Sequence, residues 1–418
     1  MNGYSMERIQ RTLDAFNKIG LTDNGQERLA YTAEEQEVQA VFTRFCEQEG
    51  MQVSKDAAGN IIARRAGRNA DVPAVAIGSH LDTVRAGGKF DGTAGVAAGL
   101  EVVHRLNEQE IMTEHPVEVI AFAAEESARF GTSTIGSKVM ANMYEPEKWE
   151  TLKDKNGIPF PDALRKAGLD FDRLHEAVRS DEELKAFFEL HIEQGPELEH
   201  ANKAIGIVSG IAAPTRFHIE IQGKASHSGA TSMDRRKDAL AAAARLVTTV
   251  EDAARAEKKF GTVGTVGVLN IEPGAMNVVP GFASLQVDIR GTNVKSIQRV
   301  VHQLKSNVNS LENERNIDIK LVKLTEETPV LLSDQVQELF KKVCKDAGVE
   351  PIILPSGAGH DAMNMAKKWP TGLLFIPCED GLSHHPDEHA NIQDIVVGTD
   401  ILERAVKESA GVSLKEAR

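Results

Sequence analysis

Only three cysteines occur in 418 residues, Cys46, Cys344 and Cys378, an odd number, widely spaced and each set among apolar neighbours. That scarcity argues against a disulfide framework or a cysteine-ligated metal, and the three read as reduced core residues. No apolar run is long enough to span a bilayer. The first twenty residues alternate charged and apolar positions at helical spacing and hold no signal-peptide core, so a cytoplasmic location is expected. Positive charge is also in short supply: 48 Lys and Arg stand against 62 Asp and Glu, a formal net charge of −14. With no basic stripe, nucleic acid is excluded as the main partner. Neither an internal repeat nor a low-complexity segment interrupts the chain.

What is present fits a globular protein, with 41% hydrophobic and 26% charged residues. The length exceeds what one compact core usually holds, so two domains are expected. The stretch that organises the reading is Gly78-Ser-His80-Leu-Asp82 through Asp91-Gly92-Thr-Ala-Gly95. Ala74–Ile77 before it reads as a buried strand, and Val96 onwards reads as a helix. A polar loop between a strand end and a helix start is where open α/β sheets place their active sites.

Helices are expected over Met6–Lys18 and Thr32–Glu49, the second opened by Thr32 as N-cap with acids in its first turn. Two short strands flank Ala58-Gly59-Asn60. Val117–Ala124 reads as a buried strand running into Glu125-Glu126, and Gly136–Met143 as a helix. The segment 144–183 is charged and carries little signal. Ala186–Ile192 is a strand ending in His191, Glu193 and Gln194. From Pro214 the rhythm shifts: Thr215–Gln222 alternates strictly, a helix follows from Asp234, as N-cap, to Lys258, and strand, strand, helix and strand complete the order to Leu324. That is a split βαβ sandwich, taken as a satellite domain inserted at residues 213–328 between 1–212 and 329–418. After it come the helix Asp334–Gly348, the loop Pro355–Asp361, the strand Thr371–Pro377, the loop Glu379–Pro386 and a last helix, Asp394–Ser409.

Four apolar strands thus each lead to residues of metal-binding type, namely His80, Glu125-Glu126, His191 and His384, with Asp91 in the loop after the first. If those strands are parallel, their ends converge on one crevice. A metal site is the reading the pattern favours. Imidazole and carboxylate donors suit Zn²⁺, Mn²⁺, Co²⁺ or Ni²⁺ without choosing among them. Taken alone, Arg290 reads as a surface salt-bridge residue and His227 as a loop histidine. His360, His385 and His389 stand near the site but do not read as ligands.

These stretches, in this order, resemble the dinuclear metallohydrolase family that includes aminoacylase and glutamate carboxypeptidases. Within it they are similar to the hydantoinase/carbamoylase branch, the N-carbamoyl-L-amino acid hydrolases and allantoate amidohydrolases. The resemblance implies an α/β fold: a zinc-peptidase-like catalytic domain with a mixed sheet flanked by helices, plus a ferredoxin-like α+β satellite for dimerisation and closure. It implies two divalent ions per subunit, with His80 and His191 on one, Glu126 and His384 on the other, and Asp91 bridging. Asp82 takes the place of an acid that orients His80, and Glu125 that of the general base. Arg290 and Asn277 match contacts to the substrate carboxylate, and His227 matches a histidine that reaches from the other subunit to the scissile carbonyl oxygen. Gln194, Gly357 and Gly359 are expected to line the pocket. Peptidase relatives usually carry an acid where this chain has His191, which moves the expected bond from peptide to ureido. Ser127 departs from the branch, which often has Gly there.

The expectation is a cytoplasmic homodimer that hydrolyses an N-carbamoyl-L-amino acid to amino acid, CO₂ and ammonia. Allantoate is the nearest alternative substrate. A dipeptidase, or a metal-bearing binding protein without turnover, are further ones.

Overall fold

The computed structural model describes residues 2–412, the side chains of Asn2 and Gly3 excepted. Two compact units divide the chain: one runs to Ser209 and resumes at Leu332, and the other is Gly210–Leu331.

The first unit begins with α1 (Asn2–Asn17) and α2 (Ala33–Gln48). Thr32 caps α2, its hydroxyl accepting from the Glu35 amide, and Glu34 and Glu35 place acids in the first turn. The strands β1 (Gln52–Lys55), β2 (Ile61–Arg65), β3 (Ala74–His80), β4 (Val117–Phe122), β5 (Leu184–Ile192) and β6 (Gly206–Ile211) follow, with α3 (Thr93–Glu108) between β3 and β4. Every residue of β3 and β4 is buried, which explains apolar runs without alternation.

The second unit holds β7 (Ala213–Gln222), β8 (Ser226–His227), α4 (Ala239–Ala256), β9 (Val263–Glu272), β10 (Val278–Val279), β11 (Phe282–Gly291), α5 (Val294–Arg315) and β12 (Asp318–Glu326). Its sheet runs β9-β11-β7-β12, antiparallel at each pairing. One face of the sheet packs on α4 and α5 through Phe217, Ile219, Leu285, Leu246 and Leu304. The expected helix start at Asp234 is wrong by a turn. Asp238 is the cap, accepting from the Ala241 amide at 3.0 Å, while Asp234 sits in a separate 3₁₀ turn, Met233–Arg235. Arg236 donates to the Thr231 and Ser228 carbonyls and so holds the loop before that turn.

The chain then returns through α6 (Asp334–Asp346), β13 (Ile352–Ser356), β14 (Thr371–Ile376) and α7 (Ile392–Ser409). The large sheet of the first unit contains the order β6-β14-β5-β3-β4-β2-β1, with β13 also pairing on β6. Its four central strands, β14, β5, β3 and β4, are mutually parallel, so their carboxyl ends share one edge. The outer pairs are antiparallel. Helices α1, α2, α3, α6 and α7 contribute Phe16, Phe42, Val103, Phe340 and Ile401 to the main core. Segment 144–183, which reads as charged, also carries aromatics. Trp149 and Phe160 join Tyr31 and Phe130 in a second cluster. All three cysteines are free and buried, and no described helix is long and apolar enough to cross a membrane.

Candidate metal centre

His80 is the last residue of β3 and His191 the last but one of β5. The other two groups lie beyond their strands: Glu125 and Glu126 follow β4 by three and four residues, and His384 lies eight past the end of β14 in an irregular loop. The chain turns sharply just before or at three of the site's residues. Ala124, Gln194 and His384 all have positive φ, at 53°, 57° and 56°, a conformation that costs a non-glycine residue about 1 kcal/mol or more. Gly92, at φ 67°, stands where a Cβ would come within 2.5 Å of the His80 ring. Only glycine lets the Asp91 loop lie so close to that imidazole.

Asp91 is the hub. Its Oδ1 lies 3.3 Å from His80 Nε2 and 3.0 Å from His191 Nε2, and its Oδ2 lies 3.3 Å from His384 Nε2. His384 Nε2 is also 3.3 Å from Glu126 Oε1. The groups form two triads, His80–Asp91–His191 and Asp91–Glu126–His384, with the facing atoms of each within 4.8 Å of one another. Both inner imidazoles have their far nitrogen occupied. His80 Nδ1 is 3.0 Å from the Asp82 carbonyl and His191 Nδ1 is 2.8 Å from the Ile192 carbonyl, so each aims Nε2 at Asp91. The donor set, three imidazoles and two carboxylates sharing one member, fits a pair of divalent cations.

Charge in the cluster is strongly perturbed. Burial by itself would raise the Asp91 carboxyl, but His191, His384 and His80 override it and hold it well below the usual carboxylate range. Hydrogen bonds to Asp91 and Glu126 push His384 up to about 11. Divalent cations would replace those imidazole protons. Glu125, buried and beside Glu126, Asp361 and Asp82, is pushed well above its ordinary value although His80 opposes the shift. Its Oε2 is 3.9 Å from His80 Nε2.

Asp82 orients the site differently from expectation. Its carbonyl, not its carboxylate, holds the His80 ring, the carboxylate being 3.6 Å from Nδ1. The carboxylate instead accepts from the amides of Glu125, at 3.1 Å, and Glu126, at 3.0 Å, and so fixes the acidic pair. Gln194 donates to Asp91 Oδ2 at 2.9 Å. Gly357 and Gly359 are exposed in the loop after β13.

In the second unit, His227 and Asn277 come together. The strands β8 and β10 pair, and the Ser228 amide donates to the Asn277 carbonyl at 3.0 Å. His227 Nδ1 accepts from the amides of Gly229 and Ala230, which puts the ring proton on Nε2, the form that can donate to a carbonyl oxygen. Arg290 lies elsewhere. It sits at the far end of β11, where its guanidinium pairs with Asp288 at 3.0 Å, while the β8–β10 pair stands near Phe282. Eight residue steps of strand, about 26 Å, separate the two ends. Within one chain Arg290 thus lies at the strand end away from the β8–β10 pair that adjoins Asn277.

Three further buried groups lie beside the triads: His360, which the sequence places near the site but not as a ligand, and Glu189 and Glu388, which sequence reasoning missed. His360 stacks edge-on against His191, with ring centroids 4.5 Å apart, and burial with the neighbouring His191 charge holds it neutral. Glu189, on β5, accepts from the Ser79 hydroxyl and the Ala362 amide. Glu388 accepts from the amides of Phe90 and Asp91. A carboxylate at a strand position with apolar neighbours is the only sequence signal for Glu189. Glu388, in a polar loop, had none.

The sequence model described as Peptidase family M20/M25/M40 matches residues 76–408. An N-carbamoyl-L-amino acid amidohydrolase of Geobacillus stearothermophilus is 41% identical over 401 residues, covering 96% of this chain and 97% of its own. An allantoate amidohydrolase of Escherichia coli is 32% identical, covering 95% of this chain and 96% of its own. A crystal structure of an amidase of the hydantoinase/carbamoylase family from Burkholderia multivorans superposes with a TM-score of 0.91 at 33% identity, over 97% of this chain and 98% of the other.

Proposed function

We propose that this chain, which belongs to the M20/M25/M40 peptidase family, is an amidohydrolase that cleaves the ureido C–N bond of an N-carbamoyl-L-amino acid, giving the amino acid, CO₂ and ammonia. The observation that carries the reading is the pair of triads joined at Asp91, in a chain 41% identical to an enzyme named for that reaction. His80 and His191 would hold one divalent cation and Glu126 and His384 the other, with Asp91 shared between them. Such cations supply polarisation of the ureido carbonyl and a lowered pKa for the attacking water. Glu125 receives the water's proton and returns it to the leaving nitrogen; its raised affinity for protons suits that exchange. Arg290 pairs with the substrate carboxylate, Asn277 adds a contact to it, and His227 donates from Nε2 to the carbonyl oxygen.

The separation of Arg290, at the far end of β11, from the β8–β10 pair that carries His227 favours a homodimer, in which each site takes Arg290 from one chain and His227 and Asn277 from the other. An edge strand with exposed Val268 and Leu269 offers apolar surface for such pairing. The free, buried cysteines suit the reducing cytoplasm. Allantoate is the second reading, favoured by the 32% identity to an allantoate amidohydrolase. Ammonia release from N-carbamoyl-L-methionine, allantoate and a dipeptide, measured side by side on metal-loaded protein, separates these. The proposal expects the carbamoyl amino acid to be fastest, and faster turnover of allantoate or of the dipeptide would replace it.

A further inference from the structure

Glu388 belongs to no triad, yet it is buried and engaged on both oxygens. Its Oε1 accepts from the Phe90 amide at 2.9 Å and the Asp91 amide at 3.0 Å. Its Oε2 lies 3.0 Å from the Ser383 hydroxyl, which is itself 3.0 Å from Asp91 Oδ2. Gln194 Nε2 reaches both Ser383 Oγ and Asp91 Oδ2. The Asp91 loop makes room for this carboxylate: a Cβ on Gly88 would fall 2.2 Å from it. One side chain thus ties two segments nearly 300 residues apart in sequence, the loop carrying Asp91 and the loop carrying His384.

We propose that Glu388 is a positioning residue: it fixes Asp91 against His384 through the Asp91 amide and through Ser383, and so sets the Asp91–Glu126–His384 half of the centre. This rests on the two-cation reading given above. The two halves depend on Glu388 unequally. His80 and His191 come from the central strands β3 and β5, where His80 is paired with Phe122 of β4 and His191 with Phe375 of β14. His384 sits half exposed on an irregular loop at positive φ, and Ser383 is its immediate neighbour. Asp91 Oδ1, which faces the two strand histidines, has no contact in this network, whereas Oδ2, which faces His384, has two. Loss of Glu388 would leave two buried amides without an acceptor and free the Oδ2 side first.

The test is calorimetric titration of metal-stripped protein with Mn²⁺, run beside kcat and KM on a carbamoyl amino acid. Wild type is expected to take up two ions per chain. Glu388→Ala should weaken the second ion by about 10–100-fold while leaving the first unchanged, and lower kcat more than it raises KM. Glu388→Gln, which keeps a carbonyl acceptor for the two amides, should recover most of that loss. Ser383→Ala, which removes only the bridge, should weaken the same ion in the same direction, and it decides the matter if Glu388→Ala does not fold. Two ions bound with wild-type affinity by Glu388→Ala, or equal weakening of both, overturns the proposal. A wild-type chain that takes up fewer than two ions overturns the two-cation reading itself, a result distinct from either.

Discussion

At the scale of single residues, the centre works by opposing burial with charge. Asp91 stays ionised because three imidazoles outweigh its desolvation, whereas Glu125, among three other acids, is held toward its protonated form. Replacing Glu125 by Gln keeps the volume and removes the proposed proton acceptor; turnover should fall by about 10²–10⁴-fold while bound metal, measured by elemental analysis, stays at the wild-type level. Turnover within a few-fold of wild type would remove Glu125 as the base. A second buried acid governs stability rather than chemistry. Glu35, buried and facing Asp82, is pushed up from 4.5 to about 8. Between those values the native state holds a proton that the unfolded chain has released. Its contribution is therefore fully present below 4.5 and is lost as pH rises to about 8, at up to about 1.4 kcal/mol per pH unit. Denaturant midpoints of wild type and Glu35→Gln should diverge from pH 5 to 8, the wild type losing ground. Parallel curves would show that Glu35 does not titrate in this range.

At the scale of elements, the site is an outcome of parallel pairing. Strands β14, β5, β3 and β4 run the same way, so residues at their carboxyl ends meet without any side chain being long. The loop after β3 then has to pass against the His80 ring, and Gly92 permits it. Gly92→Ala should both lower the melting temperature and weaken the ion proposed for His80, Asp91 and His191, read by metal titration; intact metal binding would mean the loop can shift without cost. The ends of β3 and β5 were legible because largely apolar runs reach His at a definite position, and β7 of the second unit was legible by a different signal, its strict apolar–polar alternation. Other features were not. Asp234 and Asp238 are equally good caps in sequence, and only the start of the Ala239 face against the sheet chooses between them. Asp82 looked like a partner for His80, but two amides four decades of sequence away compete for its carboxylate. Glu388 lies amid His385, Asp387 and His389, and its burial comes from the Asp91 loop, a contact no local pattern encodes.

At the scale of the whole molecule, the placement of Arg290 at the end of β11 away from the small β8–β10 pair that carries His227 makes a sharp demand on assembly. If each site draws these residues from different chains, mixing the two inactive variants Arg290→Ala and His227→Ala should rebuild one intact site per mixed dimer. About a quarter of wild-type activity should return after subunit exchange; no recovery despite demonstrated exchange would contradict a shared site. The proposed hydrolysis depends on the cluster at Asp91 holding paired cations that turnover requires. The most direct measurement is stepwise addition of Mn²⁺ to metal-stripped protein, with ammonia release from N-carbamoyl-L-methionine followed at each step. Turnover should be absent at the start and reach its plateau at about two ions per chain. Full turnover by the stripped protein, or two ions bound with no ammonia released, would contradict it.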